Sequence, residues 1–411
     1  MNMNSMTRLS KRNEKLLWIG SWTSKIGDKL FDYANSVFII GMGDQASVIL
    51  AFYQSSETLI GIIFSLFGGV VADGYSRKKI CILTDFLSGL ICFILTPLLQ
   101  SENVGLYVVI ANMLWSIIYA FNSPTYKSIV REVILKERIS EFNSIARGVT
   151  ETIKVVSPII GLALVNLIGV KGALLIDGCT FILSAFVEIF LQPLQGGGNR
   201  PAKRKAVWSE MKAGMQYISK EYWILYLLIL SGIVNFFLAG YNLLLPFTES
   251  IFPNEGGFYS KAMMAEALGG IIGALLCSKI KGPETVQKMF LYLASTGIWL
   301  MLIPVSSRIF CQNICLILFF CFAATLSIYN IQFSSYVQIH VQTDYLGRVI
   351  SIVYTIAVLF MPIGSFVFSK LLTVNLINNY YIIGGGIVLV ALIGIPIVKR
   401  TNQREGEHPT Q

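Results

Sequence analysis

Roughly twelve apolar runs, each close to the ~20 residues a helix needs to cross a bilayer, recur along this chain. No other feature narrows the choice of fold so far. Inside a membrane every backbone N–H and C=O must find its partner within the protein, so only α-helices and closed β-barrels span it. Barrel strands alternate apolar and polar residues, and that alternation is absent. Of the 411 residues 54% are hydrophobic and 13% charged, against about 25% charged in soluble domains. The runs predict an all-α membrane protein with twelve transmembrane helices in two bundles of six. They fall at 16–41, 47–72, 80–99, 105–124, 141–168, 171–192, 223–247, 260–279, 286–306, 310–332, 347–372 and 380–398.

The cations orient these helices, because cytoplasmic loops collect lysine and arginine. With both ends inside, the inner segments hold 24 of the 32 basic residues. These are Arg8, Lys11, Arg12 and Lys15; Arg77, Lys78 and Lys79; and Lys127, Arg131, Lys136 and Arg138. The later ones are Arg200, Lys203, Arg204, Lys205, Lys212 and Lys220; Lys279, Lys281 and Lys288; Arg348; and Lys399, Arg400 and Arg404. The outer loops keep Lys171, Lys261 and Arg308, with Lys370 near an outer helix end. Both termini are therefore expected in the cytoplasm, and the net charge of +9 reports membrane orientation, not nucleic-acid binding.

Domain limits follow from the same pattern: a cytoplasmic tail at 1–15, a six-helix bundle at 16–192, a linker at 193–222, a second bundle at 223–398 and a tail at 399–411. The first fifteen residues lack a signal-type cleavage site, so the first helix is expected to stay as an anchor. In the linker Gly196, Gly197 and Gly198 form a joint, and Trp208, Met211, Met215 and Ile218 recur at helical spacing. That spacing predicts an amphipathic helix on the inner membrane surface. The halves resemble each other at an offset of about 210, where Tyr126 matches Tyr336, Ile129 matches Ile339 and Arg138 matches Arg348. Pro158 and Gly161 have analogues in Pro362 and Gly364.

The turn from Gly69 to Lys79 joins two membrane-length runs through a basic loop of about six residues. Gly69, Asp73, Arg77, Lys78 and Lys79 fit the loop signature of the major facilitator superfamily, which this stretch resembles; Gly74 and Ser76 depart from it. Phe121-Asn122-Ser123-Pro124, Val156-Ser157-Pro158, Tyr345-Leu346-Gly347-Arg348-Val349 and the Gly27-Asp28 pair are similar to the macrolide-efflux branch, which also contains siderophore exporters. The resemblance implies two six-helix bundles in the plasma membrane and active export driven by protons. It also implies that Gly69, Asp73, Arg77, Lys78 and Lys79 latch the two halves in one conformation. One departure concerns coupling: drug–proton antiporters of the superfamily commonly carry an arginine in helix four, where this chain has Trp115.

A charge inside a membrane costs about 2.5–3.5 kcal/mol on insertion scales, so each asks for a reason. Lys25, Asp28, Lys29 and Asp32 share one face of helix one at spacings of three and four. Asp28 and Asp32 are candidate proton carriers; the bland alternative is an ion-pair ladder neutralised by Lys25 and Lys29. Glu57 and Asp177, in the outer half, are candidate proton-loading groups or packing residues, while Asp85 reads as structural. Glu151 is flanked by Arg147 and Lys154 on one helix face and is expected to stay ion-paired in a gate. Glu266 in helix eight is a lone further candidate.

Trp115, Tyr119, Asn122, Asn235, Asn242, Tyr329 and Asn330 are the candidate cavity residues, amides beside aromatics that suit a bulky amphipathic ligand. The sum predicts a monomeric secondary exporter of small amphipathic organic compounds, exchanging them for protons across the bilayer. A siderophore, peptide or lipid exporter and a non-transporting sensor on the same fold are the alternatives; a sensor would be expected to carry an added soluble domain. Two histidines, seven cysteines without a CxxC pair, and no GxxxxGK[ST] run predict no metal site, no cofactor and no enzyme.

Overall fold

The computed structural model describes residues 3–194, 215–219, 221–253, 256–279, 286–309, 313–342 and 346–406. Within these, the side chains of 3–4, 65–74, 222, 286, 346–348, 350–351, 354 and 397–406 lie outside the description. Every long element is an α-helix: α1 Met3–Ile40, α2 Ala46–Gly74, α3 Arg77–Leu98, α4 Val104–Val133, α5 Lys136–Glu188, α6 Tyr222–Leu244, α7 Phe258–Lys279, α8 Val286–Ile309, α9 Asn313–His340, α10 Leu346–Leu371 and α11 Asn379–Gly406. The chain divides into two compact units, Met1–Lys203 and Arg204–Gln411.

Contacts fix the directions of the helices in the first unit. Trp18 stacks on Phe142 and the Lys25 amine donates to Thr150 Oγ1, so the start of α5 runs parallel to α1. Ser184 donates to the Gly20 carbonyl and Asn13 to that of Gln192, so the rest of α5 runs back along α1. The reversal happens at Gly169, whose φ of 71° lies in the left-handed region that only glycine enters without strain. A straight helix of 53 residues would reach about 80 Å, far beyond a bilayer. Cys92 against Asp177 and Lys78 against Leu191 set α3 antiparallel to this returning arm. Asn112 on Tyr53 and Phe121 on Phe64 make α4 and α2 parallel, while Arg77–Glu132 and Asn122–Thr84 oppose α4 to α3. Six rods thus alternate in direction.

The second unit repeats the pattern. Phe360 lies against Gly232 and Phe368 against Gly240, so its first and fifth helices, α6 and α10, are parallel. Ser327 donates to the Gly270 carbonyl and Gln332 to Cys277 Sγ, which makes its second and fourth, α7 and α9, parallel too. Arg308 reaches Asn378 while Phe290 lies against Gly394, so α8 and α11 oppose each other, as third and sixth rods do in the first unit. The sequence repeat therefore has a physical counterpart in each unit's internal pairing. Tyr126 of α4 faces the Leu17 carbonyl of α1, and its sequence match Tyr336 of α9 packs edge-on against Trp223 of α6.

Among the described residues nine helices are long and apolar enough to cross a membrane, with α5 counted once. α1 is not one of them, since Lys25, Asp28, Lys29 and Asp32 interrupt it. Two boundaries differ from the sequence expectation. The turn between α2 and α3 is two residues, Tyr75 and Ser76, not about six, because α2 continues helically to Gly74. And α1 begins at Met3, so the expected tail is a helical extension. There Ser10 accepts from the Leu135 N–H, Asn13 donates to the Val133 carbonyl, and the buried Glu14 carboxylate accepts from Nε and Nη2 of Arg138 at 2.6 and 2.8 Å. A two-pronged carboxylate–guanidinium pair is among the stronger polar contacts. Glu14→Gln is therefore expected to lower the melting temperature of the purified protein; an unchanged melt would show the extension to be idle. Of the expected linker helix only 215–219 falls within the described residues, and it is helical.

Candidate functional site

The polar stripe of α1 forms, though with different partners than its spacing implies. Lys29 pairs with Asp32 at 3.4 Å, and the Tyr53 hydroxyl of α2 donates to the same carboxylate at 3.4 Å. Lys25 turns away from Asp28 and spends its amine on Thr150 of α5 at 2.8 Å. The ladder is thus half-made. Asp28 is left with no hydrogen bond or ion pair among the described residues; the charges of Lys29, Asp85, Asp32 and Lys25 bear on it, and it bears in turn on Asp177. Spacing makes an i,i+3 contact available to Lys25, and the hydroxyl from a neighbouring helix wins it.

Around the stripe the neighbouring helices contribute both acids and rings. Asp177 is fully buried behind α1, close enough that a Cβ on Gly27 would sit 2.6 Å from its Oδ1; among the described residues that oxygen has no hydrogen-bond partner, and Oδ2 accepts from Cys92 Sγ. Glu57 is exposed on α2 and bears on Lys29 and Tyr53. From α4, Trp115 stacks between Phe31 of α1 and Tyr119, with centroids 5.9 and 5.3 Å away. Tyr119 is half-exposed and feels the charges of Asp28, Lys29, Glu57 and Asp32. One face therefore presents a carboxyl group with no described partner, a partly exposed ammonium at Lys29 and the Tyr119 ring, behind which Trp115 and Phe31 are buried. Phe31 and Tyr53 belong to it and were not foreseen, although Tyr53 lies one helical turn before Glu57.

Other expected residues have narrower duties. Asn122 donates to Thr84 Oγ1 at 2.7 Å and to Asp85 at 3.2 Å, so its amide ties α4 to α3. Glu151 pairs with Lys154 at 3.0 Å while Arg147 is exposed and pairs with nothing described, so one cation, not two, holds this acid. Glu188, which no spacing in the sequence marks, is buried with no hydrogen-bond partner for Oε2 among the described residues. In the second unit Asn235 donates to Ser231 of its own helix at 2.9 Å, Asn242 is half-buried, Tyr329 is buried and Asn330 is exposed.

The basic turn is tied into the first unit. Arg77 pairs with Glu132 of α4, and Lys78 donates to the carbonyls of Ile189 at 2.6 Å and Leu191 at 2.9 Å, capping the end of α5 as a cation should. Lys79 borders an open apolar groove of about 410 Å³ that includes Leu83, Phe86 and Phe186. Gly69 and Asp73 lie on the last turns of α2, whose side chains are outside the described ones.

A turn of this composition between α2 and α3, in a chain of two alternating six-rod units, calls for comparison with known transporters. The family model described as Major Facilitator Superfamily matches residues 17–365. The chain belongs to the Major Facilitator Superfamily. It is a transporter of that superfamily and a multi-pass plasma-membrane protein. Macrolide efflux protein A of Streptococcus pyogenes is 21% identical over 391 residues, 93% of this chain and 95% of that protein. The Staphyloferrin A transporter of Staphylococcus aureus is 23% identical over 401 residues, 94% of this chain and 95% of that one. Among solved structures, a bacterial homologue of the iron transporter ferroportin in an inward-facing state superposes with a TM-score of 0.72 at 15% identity, covering 94% of this chain and 98% of that one. At that identity the likeness speaks for the fold alone. Within a Major Facilitator Superfamily unit, the α1 stripe is where charge, aromatic surface and an unpaired acid come together.

Proposed function

We propose that this member of the superfamily exports bulky amphipathic organic compounds, macrolide-like in size and character, in exchange for protons. Residues 16–192 and 223–398 would move against each other in alternating access through twelve membrane crossings, with both termini cytoplasmic. Gly69, Asp73, Arg77, Lys78 and Lys79 would hold one of the two conformations. The observation that carries this reading is Asp28: a carboxyl group on a membrane helix, without a hydrogen bond or ion pair among the described residues, beside the half-exposed Tyr119 ring that ends the Phe31–Trp115–Tyr119 stack. An acid left free in a membrane is by default a functional group, and flat rings suit a large apolar ligand. With Trp115 where related antiporters keep an arginine, the counter-charges that bear on the Asp28 proton site are Lys29 and Lys25. Likeness to macrolide efflux protein A supports the substrate class.

A second reading has its own support. Lys29 keeps 44% of its side chain exposed on the stripe, a cation available to an anionic substrate such as a siderophore, and the Staphyloferrin A transporter is among the relatives. Accumulation of a radiolabelled macrolide in cells with and without the protein separates the two. The first reading expects lower accumulation with the protein, restored by collapsing the proton gradient. Equal accumulation, together with export of a labelled siderophore, would replace it with the second.

A further inference from the structure

Among the carboxyl groups of the second unit, Glu266 lies within a membrane helix, and the α1 site gives it no task. Glu266 lies in the third turn of α7, half-buried, and the Tyr241 hydroxyl of α6 donates to its Oε1. No described cation pairs with it. Phe322 and Phe319 of α9 stand over the Tyr241 ring at centroid distances of 4.4 and 6.3 Å. Tyr380, at the start of α11, is fully buried with its ring centroid 6.4 Å from that of Tyr241, and its hydroxyl has no hydrogen-bond partner among the described residues.

The other titratable groups nearby are few. Tyr259 bears on Tyr241, and Cys315 of α9 bears on Tyr380. Lys261 is on α7 itself but five residues away, roughly 140° round the helix axis. Glu249 gives its two oxygens to the backbone N–H groups of Gly257 and Tyr259 at 2.7 and 3.1 Å. A carboxylate set among rings inside a membrane lacks a counter-charge here, and insertion scales put the cost of such a charge at about 2.5–3.5 kcal/mol. A buried hydroxyl without a partner carries its own desolvation cost. A proton on Glu266 relieves the first cost, and Glu266, whose charge bears on Tyr380, is the acid near enough to be tested as acceptor for the second.

We propose that Glu266, Tyr241 and Tyr380 form a proton-binding site of the C-terminal unit, separate from Asp28. Glu266 takes a proton from water and returns it to water; Tyr241 donates to the carboxyl group throughout. When the carboxylate is bare, the Tyr380 hydroxyl turns to donate a second hydrogen bond, linking α11 to α7. Protonation releases that link. Its use in transport rests on the antiport reading, whereas proton binding at Glu266 does not.

Infrared difference spectra of the full-length protein in lipid vesicles, acid minus alkaline, test it. The expected result is a carboxylic-acid C=O band that titrates, vanishes in Glu266→Gln and persists in Asp28→Asn. Tyr241→Phe removes a hydrogen bond from the carboxyl group and should move the band to higher frequency. Tyr380→Phe should tighten proton binding about tenfold, one pH unit in the titration. A titrating band that is the same in Glu266→Gln and in Tyr241→Phe overturns the proposal, as does the absence of any titrating band. The Tyr241→Phe arm decides the matter if the Gln variant does not fold. A band that behaves as expected in vesicles showing no substrate-driven proton movement supports the site and removes the antiport reading instead.

Discussion

Asp28→Asn is expected to abolish uphill export and to leave membrane insertion and thermal stability close to those of the parent. The substitution keeps the size of the side chain and removes only its ability to carry a proton. Asp28 makes no hydrogen bond or ion pair with a described residue, so no structural contact is lost with its charge. Asp32 differs, since Lys29 and Tyr53 both lean on it at 3.4 Å. Asp32→Asn should therefore disturb the stripe itself, lowering stability as well as transport. Measuring transport driven by an imposed proton gradient alongside substrate exchange without one separates the roles. Asp28→Asn should lose the first to background and keep the second. Loss of both would make Asp28 a substrate ligand, and loss of neither would remove it from the mechanism.

Gly297→Val is expected to destabilise the second unit strongly without touching the α1 site. α8 and α11 approach so closely that a Cβ on Gly297 would stand 2.5 Å from the Gly384 carbonyl oxygen, and one on Gly384 would stand 2.5 Å from that of Gly297. Neither obstacle is a flexible side-chain tip; both are helix backbone. Membrane helices have no hydrophobic drive to associate and depend on such close packing between small residues. Forcing extra methyl groups into a tight contact costs about 1–3 kcal/mol each, which for a unit of this size is a fall of roughly 2–4 °C in melting temperature per kcal/mol. Gly297→Ala and Gly384→Ala should each lower the melt by several degrees, and the double variant by less than their sum, because both methyl groups wedge the same gap. Strict additivity would mean that the two glycines do not share a contact.

Much of this architecture is legible in the amino-acid sequence because the membrane imposes it. The apolar runs place the rods, and the run ending at 168 with the next starting at 171 brackets the reversal at Gly169. Hydropathy reports where the bilayer ends, however, and not where the backbone hydrogen bonds end. That is why α1 reaches back to Met3 through polar residues, and why α2 continues to Gly74 and shortens the expected turn to Tyr75 and Ser76. Spacing along one helix likewise suggests a partner that a second helix takes away, since Lys25 goes to Thr150; Asn122, expected in the cavity, ties α4 to Thr84 and Asp85 instead. Glu188 sits at the end of an apolar run and reads as a boundary residue; only the packing of α1 and α3 against α5 buries it. The Phe31–Trp115–Tyr119 stack needs two helices side by side, so only Trp115 and Tyr119, one turn apart on α4, were visible beforehand.

The most direct test of proton-coupled export uses inside-out vesicles that hold a proton gradient read by a pH-sensitive dye. Macrolides and siderophores are added one at a time to vesicles with the protein, with Asp28→Asn, and without either. The account predicts that a transported compound collapses the gradient in the first vesicles alone. Uptake of labelled compound with no movement of the dye would contradict it, leaving an exporter that does not run on protons.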